Sequence, residues 1–397
     1  RATIADVSLP VFDWDRAATI REQYREQLAQ DRVEALETIP GPQIEQLLDG
    51  VLSRAERAVE QSLDESTGLT HTYYEHLPSQ AKPFGARPTD SPAAVQRSNG
   101  RSTPPHSRRP VSTSTGGSSR YGFTARPLPL YLEGQVHRLK LLSDPDAARR
   151  VYQAVRRSPL FDEALRMYKL NECVERCSPR IGRARTFTRG WFENESIWLH
   201  MSYKYLYELL RAGLHAEFFE DAHTMLVPFM PPLAYGRSVL ENSSFLGSSA
   251  NPDPATHGRG FIARLSGSSA EFISIWLHLT TGGRPFSLEE GELTFTLRPV
   301  LPGEWFRRSP GSVDFAGRTT ALPENTFACT LLGRTLLVYH NHSRQDTFGP
   351  HAVRPTRYVI DDQTEIAAPA VTGEPAHRIR AGRVRRLDVW LGATDRE

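Results

Sequence analysis

The spacing of apolar residues changes once along the chain, at Gly282-Gly283, and that switch limits the fold more than any other feature. Before it, apolar residues recur at helical spacing. Residues 17–30 and 42–63 form amphipathic runs rich in Glu and Arg. Residues 196–212 put Ile197, Met201, Tyr205 and Leu209 near one face, and the spacing resumes at 216–226 and 269–279. Asp13 or Asp15 can cap the first run, and Pro145 between Asp144 and Asp146 starts another over residues 147–156. After the glycine pair the runs are short and alternate, at 293–297, 326–331, 335–339, 357–360 and 385–391, with Pro, Gly and Asn between them. The expectation is a mainly α protein: helices paired through long polar loops over residues 1–281, then a small β domain over 282–397.

Of the 397 residues, 39% are hydrophobic, enough for a sizeable core, which excludes a disordered chain. Residues 82–120 depart from this. Pro, Ser, Thr, Gly and Arg dominate there, with Phe84 and Val95 almost alone among large apolar side chains, so a disordered insertion is expected. A formal charge of +2 points to neither nucleic acid nor an anionic membrane as partner. The three cysteines, Cys173, Cys177 and Cys329, form no CxxC pair and have no histidine pair at metal-ligand spacing; a reducing compartment without structural zinc follows. No apolar run is long enough for a bilayer and no signal peptide stands at the start, so a cytoplasmic protein is expected. A first residue of Arg1 and a structured pattern from residue 7 read as a chain that has lost an upstream part.

Three polar clusters interrupt the helical pattern between residues 180 and 272. They are Gly190-Trp191-Phe192-Glu193-Asn194-Glu195-Ser196 with His200 one turn on, Glu241-Asn242-Ser243-Ser244, and His257-Gly258-Arg259-Gly260 followed by Ser266-Gly267-Ser268. Glu193-Asn194 precedes a long helix, whose first amides favour an anion, and His200 lies in its first two turns. Arg259 is a fixed cation between two glycines, which permit close approach of backbone to ligand. Ser266-Gly267-Ser268 offers a hydroxyl and free amides before the next helix. By residue type alone, an anion and sugar site and a pair of ordinary glycine-rich turns both remain open.

The order and spacing of these clusters resemble the inverting glycoside phosphorylases of glycoside hydrolase family 94, the cellobiose and chitobiose phosphorylases. That family's Ile-Gly-Arg, Pro-Gly and Glu-Asn-Gly-Gly-Ile-Phe segment with its histidine is similar to Ile181-Gly182-Arg183, Gly190 and Glu193-Asn194-Glu195-Ser196-Ile197-Trp198-Leu199-His200. Its Gly-Arg-Gly followed by Thr-Gly-Ser resembles Gly258-Arg259-Gly260 and Ser266-Gly267-Ser268, and its Trp-Pro-Leu-Ile-Ser-Gly is loosely echoed in residues 129–134.

The resemblance implies an (α/α)6 toroid-type barrel, incomplete here, followed by a small C-terminal β domain. It also implies phosphorolysis, or the reverse synthesis, of a β-glucosidic bond with inversion. Phosphate would be cosubstrate, bound by His200, Ser266, Gly267 and Arg259, with no cofactor and no metal. One protein carboxyl then suffices as the acid, and Asp13 of Asp13-Trp14-Asp15 is the nearest text to the family's Asp-Trp-Asn-Asp, although a plain helix cap accounts for both aspartates. Glu193, Asn194, Trp191, Glu195, Glu241 and His257 are expected to contact an oligosaccharide or disaccharide, and a homodimer is allowed for. Two departures bear on the chemistry: Glu195 and Ser196 replace paired glycines, and Glu271 stands near a position usually aromatic. Extra carboxylates there leave an inverting hydrolase or transglycosylase as the alternative, and a non-catalytic carbohydrate-binding remnant as a third.

Overall fold

The computed structural model describes residues 14–29, 40–78, 123–263 and 267–393. Asp13, Ser266 and the proposed insertion at 82–120 lie outside them. The chain divides into two compact units, residues 1–58 and 59–397. The first holds helix α1 (Trp14–Ala29) and most of α2 (Gly41–Gln61). No residue of α2 is buried, and Ile44, Leu47, Leu48, Val51 and Leu52 stand exposed along it.

The second unit contains α3 (Leu132–Leu141), α4 (Pro145–Arg156), α5 (Leu199–Arg211), α6 (His215–Met225), the single turn α7 (Pro232–Tyr235), α8 (Gly267–Thr281) and α9 (Gly373–Arg380). Local chemistry sets several of the boundaries. Asp144 caps α4 by accepting from the amides of Asp146 (3.0 Å) and Ala147 (3.1 Å), and Pro145 fills the first helical position, where no amide is needed. The buried face of α5 runs through Leu199, Ser202, Tyr203, Tyr205, Leu206 and Leu209, the 3–4 spacing of an amphipathic helix.

The described structure is 38% helix and 26% strand, so this is a mixed α and β protein; it is not mainly α and not plainly an (α/α)6 barrel. The correction has a local cause. Segments read as loops between helices, or as part of a helix, pair with one another as strands. Residues 196–198 fit the helical pattern, yet β1 (Ile197–Trp198) pairs antiparallel with β2 (Ser243–Leu246), which pairs with β3 (Gly260–Ala263). Antiparallel strand pairs at Phe161–Asp162 with Met167–Tyr168, and at Tyr74–Pro78 with Phe123–Pro127, further interrupt the helices.

Towards the C-terminus a five-stranded sheet is ordered β4-β5-β8-β6-β7, from β4 (Thr326–Leu331), β5 (Thr335–His340), β6 (Val353–Ile360), β7 (Thr364–Ile366) and β8 (Arg386–Ala393). Strands β5 and β8 run parallel, with Leu337 opposite Leu387, and the other pairs are antiparallel. All of β5 is buried, as a central strand covered on both faces must be. Besides a small cluster of Leu322, Leu336 and Val338, two large hydrophobic clusters result. One joins α3, α4, α5, α6 and the buried side of α8; the other lies between the five-stranded sheet, α9 and the strand Glu292–Phe295. Trp305 packs against both.

Candidate functional site

The turn that leads into β1 is built by mutual hydrogen bonds. Trp191 and Asn194 exchange backbone bonds of 3.2 and 3.1 Å, and Asn194, fully buried, accepts from the Val174 amide and donates to Phe187 O at 2.8 Å. Asn171 reaches in from the other side, donating to Glu193 O (2.9 Å) and accepting from the Glu195 amide (3.0 Å). This clamps Glu195 in the left-handed region at φ 63°, a conformation unfavourable for a side chain of its type. Glu195 compensates through its carboxylate, which meets Lys169 at 3.0 Å and Arg189. Burial pushes its carboxyl upward, but Arg189 and Lys169 together hold it below the usual value.

Beyond this turn lies a cavity of about 380 Å³, in the range that holds small ligands. Phe192 and Glu193 line it from the turn, Arg183 from the short 3-10 helix Arg183–Thr186 before it, and Trp198 and His200 from β1 and the start of α5. Ser244 and Ile262 come from β2 and β3, and Gly267 and Ser268 from the start of α8. Arg183 ion-pairs with Glu193 through Oε1, while Glu193 Oε2 is buried without a hydrogen-bond partner. Trp198 is fixed by its indole N–H, which donates to Phe192 O at 2.9 Å.

His200 lies directly on Gly267. A Cβ at that glycine would stand 2.7 Å from both Cγ and Nδ1 of the imidazole, closer than a side chain tolerates, so only glycine lets the ring rest on the backbone at the start of α8. On its other edge, His200 Nε2 is 3.6 Å from Glu271 Oε1. Burial and the nearby Lys204 lower the affinity of His200 for a proton, and Glu271 only partly offsets them. A neutral imidazole that an arriving anion can charge is the result.

Of the residues singled out from sequence, His200, Gly267 and Glu193 meet in this cavity. The others are placed elsewhere or lie outside the described residues. Trp191 packs edge-on against Phe245 (5.1 Å) and Phe261 (4.4 Å), behind the cavity wall. Asn194 and Glu195 hold the turn. Glu241 pairs with Arg237 at 3.0 Å and accepts at its carbonyl from Tyr235. His257 Nε2 is 2.8 Å from Asn251 O, in the loop that carries the chain to β3. The exposed Arg259 lays its guanidinium on Gly236, where a Cβ would approach Nη2 to 2.8 Å, and it does not line the cavity. Ser266 and Asp13 are outside the described residues.

Sequence reasoning missed Arg183, Ser244 and Ser268 as site residues, although each stands inside a motif it quotes; their contribution depends on which strand pairs with which. Among the described residues no group of three or more His, Cys, Asp or Glu could hold a metal ion, and no helix is long and apolar enough to cross a membrane. No protein-family model matches the chain, and no curated protein matches it significantly.

Proposed function

We propose that the protein is a carbohydrate-active enzyme that cleaves or forms a β-glucosidic bond with inorganic phosphate as cosubstrate. The observation that carries this reading is the seat of His200 on the backbone of Gly267, in one cavity with Ser268 and Arg183. An imidazole that can take up charge, a guanidinium and the first amides of a helix suit a tetrahedral oxyanion. Trp198 and Phe192, which line the cavity, offer aromatic faces for a pyranose ring.

In the reaction, a phosphate oxygen attacks the anomeric carbon from the face opposite the leaving group. The glycosidic C–O bond breaks, and a carboxylic acid gives its proton to the departing sugar oxygen. The products are an inverted sugar 1-phosphate and a shortened saccharide. Water in place of phosphate makes the same arrangement an inverting hydrolase, and the Glu271 carboxylate beside His200 favours that second reading.

The test is to incubate the protein with β-linked glucose disaccharides, with and without phosphate, and to assay sugar 1-phosphate and free sugar. Phosphate-dependent sugar 1-phosphate is expected. Free sugar alone, indifferent to phosphate, turns the assignment to a hydrolase, and saccharide binding without turnover turns it to a binding remnant. His200→Ala should reduce phosphate use about tenfold to hundredfold, since a charge-assisted hydrogen bond to an oxyanion contributes about 1.5–3 kcal/mol.

A further inference from the structure

The two carboxylates beside the cavity differ in what they meet. Glu193 answers Arg183, whereas Glu271 lies against the imidazole itself. Glu271 follows Gly267 by four residues on α8, so both lie on one face of that helix, and α5 packs along it. His200 is therefore held between two points of the same face. Its Cγ and Nδ1 rest over Gly267, and its Nε2 is turned to Glu271 Oε1 at 3.6 Å.

We propose that Glu271 is the positioning residue for His200, holding Nε2 so that Nδ1 faces the start of α8 as a hydrogen-bond donor to a bound oxyanion. The role rests on the reading of the cavity as an anion site. When the imidazole is neutral and Nε2 carries the proton toward Glu271, Nδ1 presents a lone pair, which repels an anion. When a second proton arrives, Nδ1–H donates to the anion and Nε2–H tightens on the carboxylate.

The charged groups around the ring set the balance. Lys204 on α5 opposes the second proton, as does burial; Glu271 on α8 and Glu133 on α3 favour it. Arg183 and Glu193 face the cavity as a mutual pair. With side-chain exposures of 42% for His200 and 21% for Glu271, water screens part of the interaction, and its effect on binding is a moderate one.

Sulfate is the probe, because it stays a dianion between pH 5 and 8 and any pH dependence then belongs to the protein. Binding is measured by calorimetry at pH 6 and pH 8 for the wild type, Glu271→Gln and Glu271→Asp, and the His200 titration is followed by NMR with and without sulfate. In Glu271→Gln the His200 midpoint should move down, and sulfate should bind about threefold to tenfold more weakly at pH 6. At pH 8, where the ring is neutral in both proteins, the affinities should converge. Glu271→Asp, which keeps the charge, should recover part of the pH 6 affinity. Equal weakening at both pH values, or a His200 midpoint unmoved by Glu271→Gln while sulfate still shifts it in the wild type, overturns the positioning role alone. A wild-type His200 that ignores sulfate overturns the anion reading and this role together.

Discussion

Glu195 shows how a charged residue can hold the turn beside a cavity without lining it. Its side chain is 3% exposed, it occupies a left-handed backbone conformation, and it is the one carboxylate shared by Lys169 and Arg189. Glu195→Gln leaves Lys169 largely buried without its counter-charge. The expected cost is about 3 kcal/mol or more at pH 7, measured by urea unfolding. Because the folded carboxyl titrates below the value of 4.5 that the unfolded chain adopts, this stability is present above pH 4.5 and is lost as the pH falls through the folded value. The gap between the two proteins should therefore close in acid. At this scale the sequence is a partial guide. His200 and Gly267, singled out through the family resemblance, line one cavity, whereas residue type alone left an anion site and a pair of ordinary glycine-rich turns both open. Arg259 instead lies against Gly236, 23 residues earlier, and no local spacing records that approach.

Among the elements, α8 is legible as a helix, since residues 269–279 carry the spacing and the observed Gly267–Thr281 differs only at its ends. The strand β1 is not. Two residues, Ile197 and Trp198, continue the periodicity of α5, and only their pairing with Leu246 and Phe245 draws them out of it. Helix α8 also carries a pH signature. Burial first, then His215 and Arg211, push His278 down to about 4. Above pH 6.5 the group is neutral folded and unfolded and contributes nothing. Below it the unfolded chain takes the proton first, so stability is lost between pH 6.5 and about 4, by on the order of 3 kcal/mol in full. Asp221 acts in the opposite sense: burial raises its carboxyl to about 6 despite Arg156 at 2.8 Å, so protonation there favours the folded state. The measurement is accordingly a difference, in which His278→Gln should lose less stability than the wild type on acidification from pH 7 to pH 4.5.

For the molecule as a whole, the barrel expectation fails because paired helices and polar loops look alike in sequence whether the loops stay open or close into small sheets. The seam between the two hydrophobic clusters is equally hidden. Tyr339, buried in β5, donates its hydroxyl to Thr280 O at 2.6 Å, and residues after the glycine pair return to α8 through Arg298 N to Thr281 O (3.0 Å) and Val300 N to Leu279 O (2.8 Å). Tyr339→Phe leaves that carbonyl buried and unanswered, and should cost about 1–3 kcal/mol. Calorimetry and near-ultraviolet dichroism should still report one transition for residues 59–397; two separated transitions in the wild type would show that the clusters melt independently. The same seam bears on how the protein can be taken apart. Gly282-Gly283, where the sequence invites a cut, lies inside a stretch stitched back on itself by main-chain bonds, so a truncation there strips the end of the helix whose other end floors the cavity. A piece meant to carry the cavity alone has to keep the strands that follow.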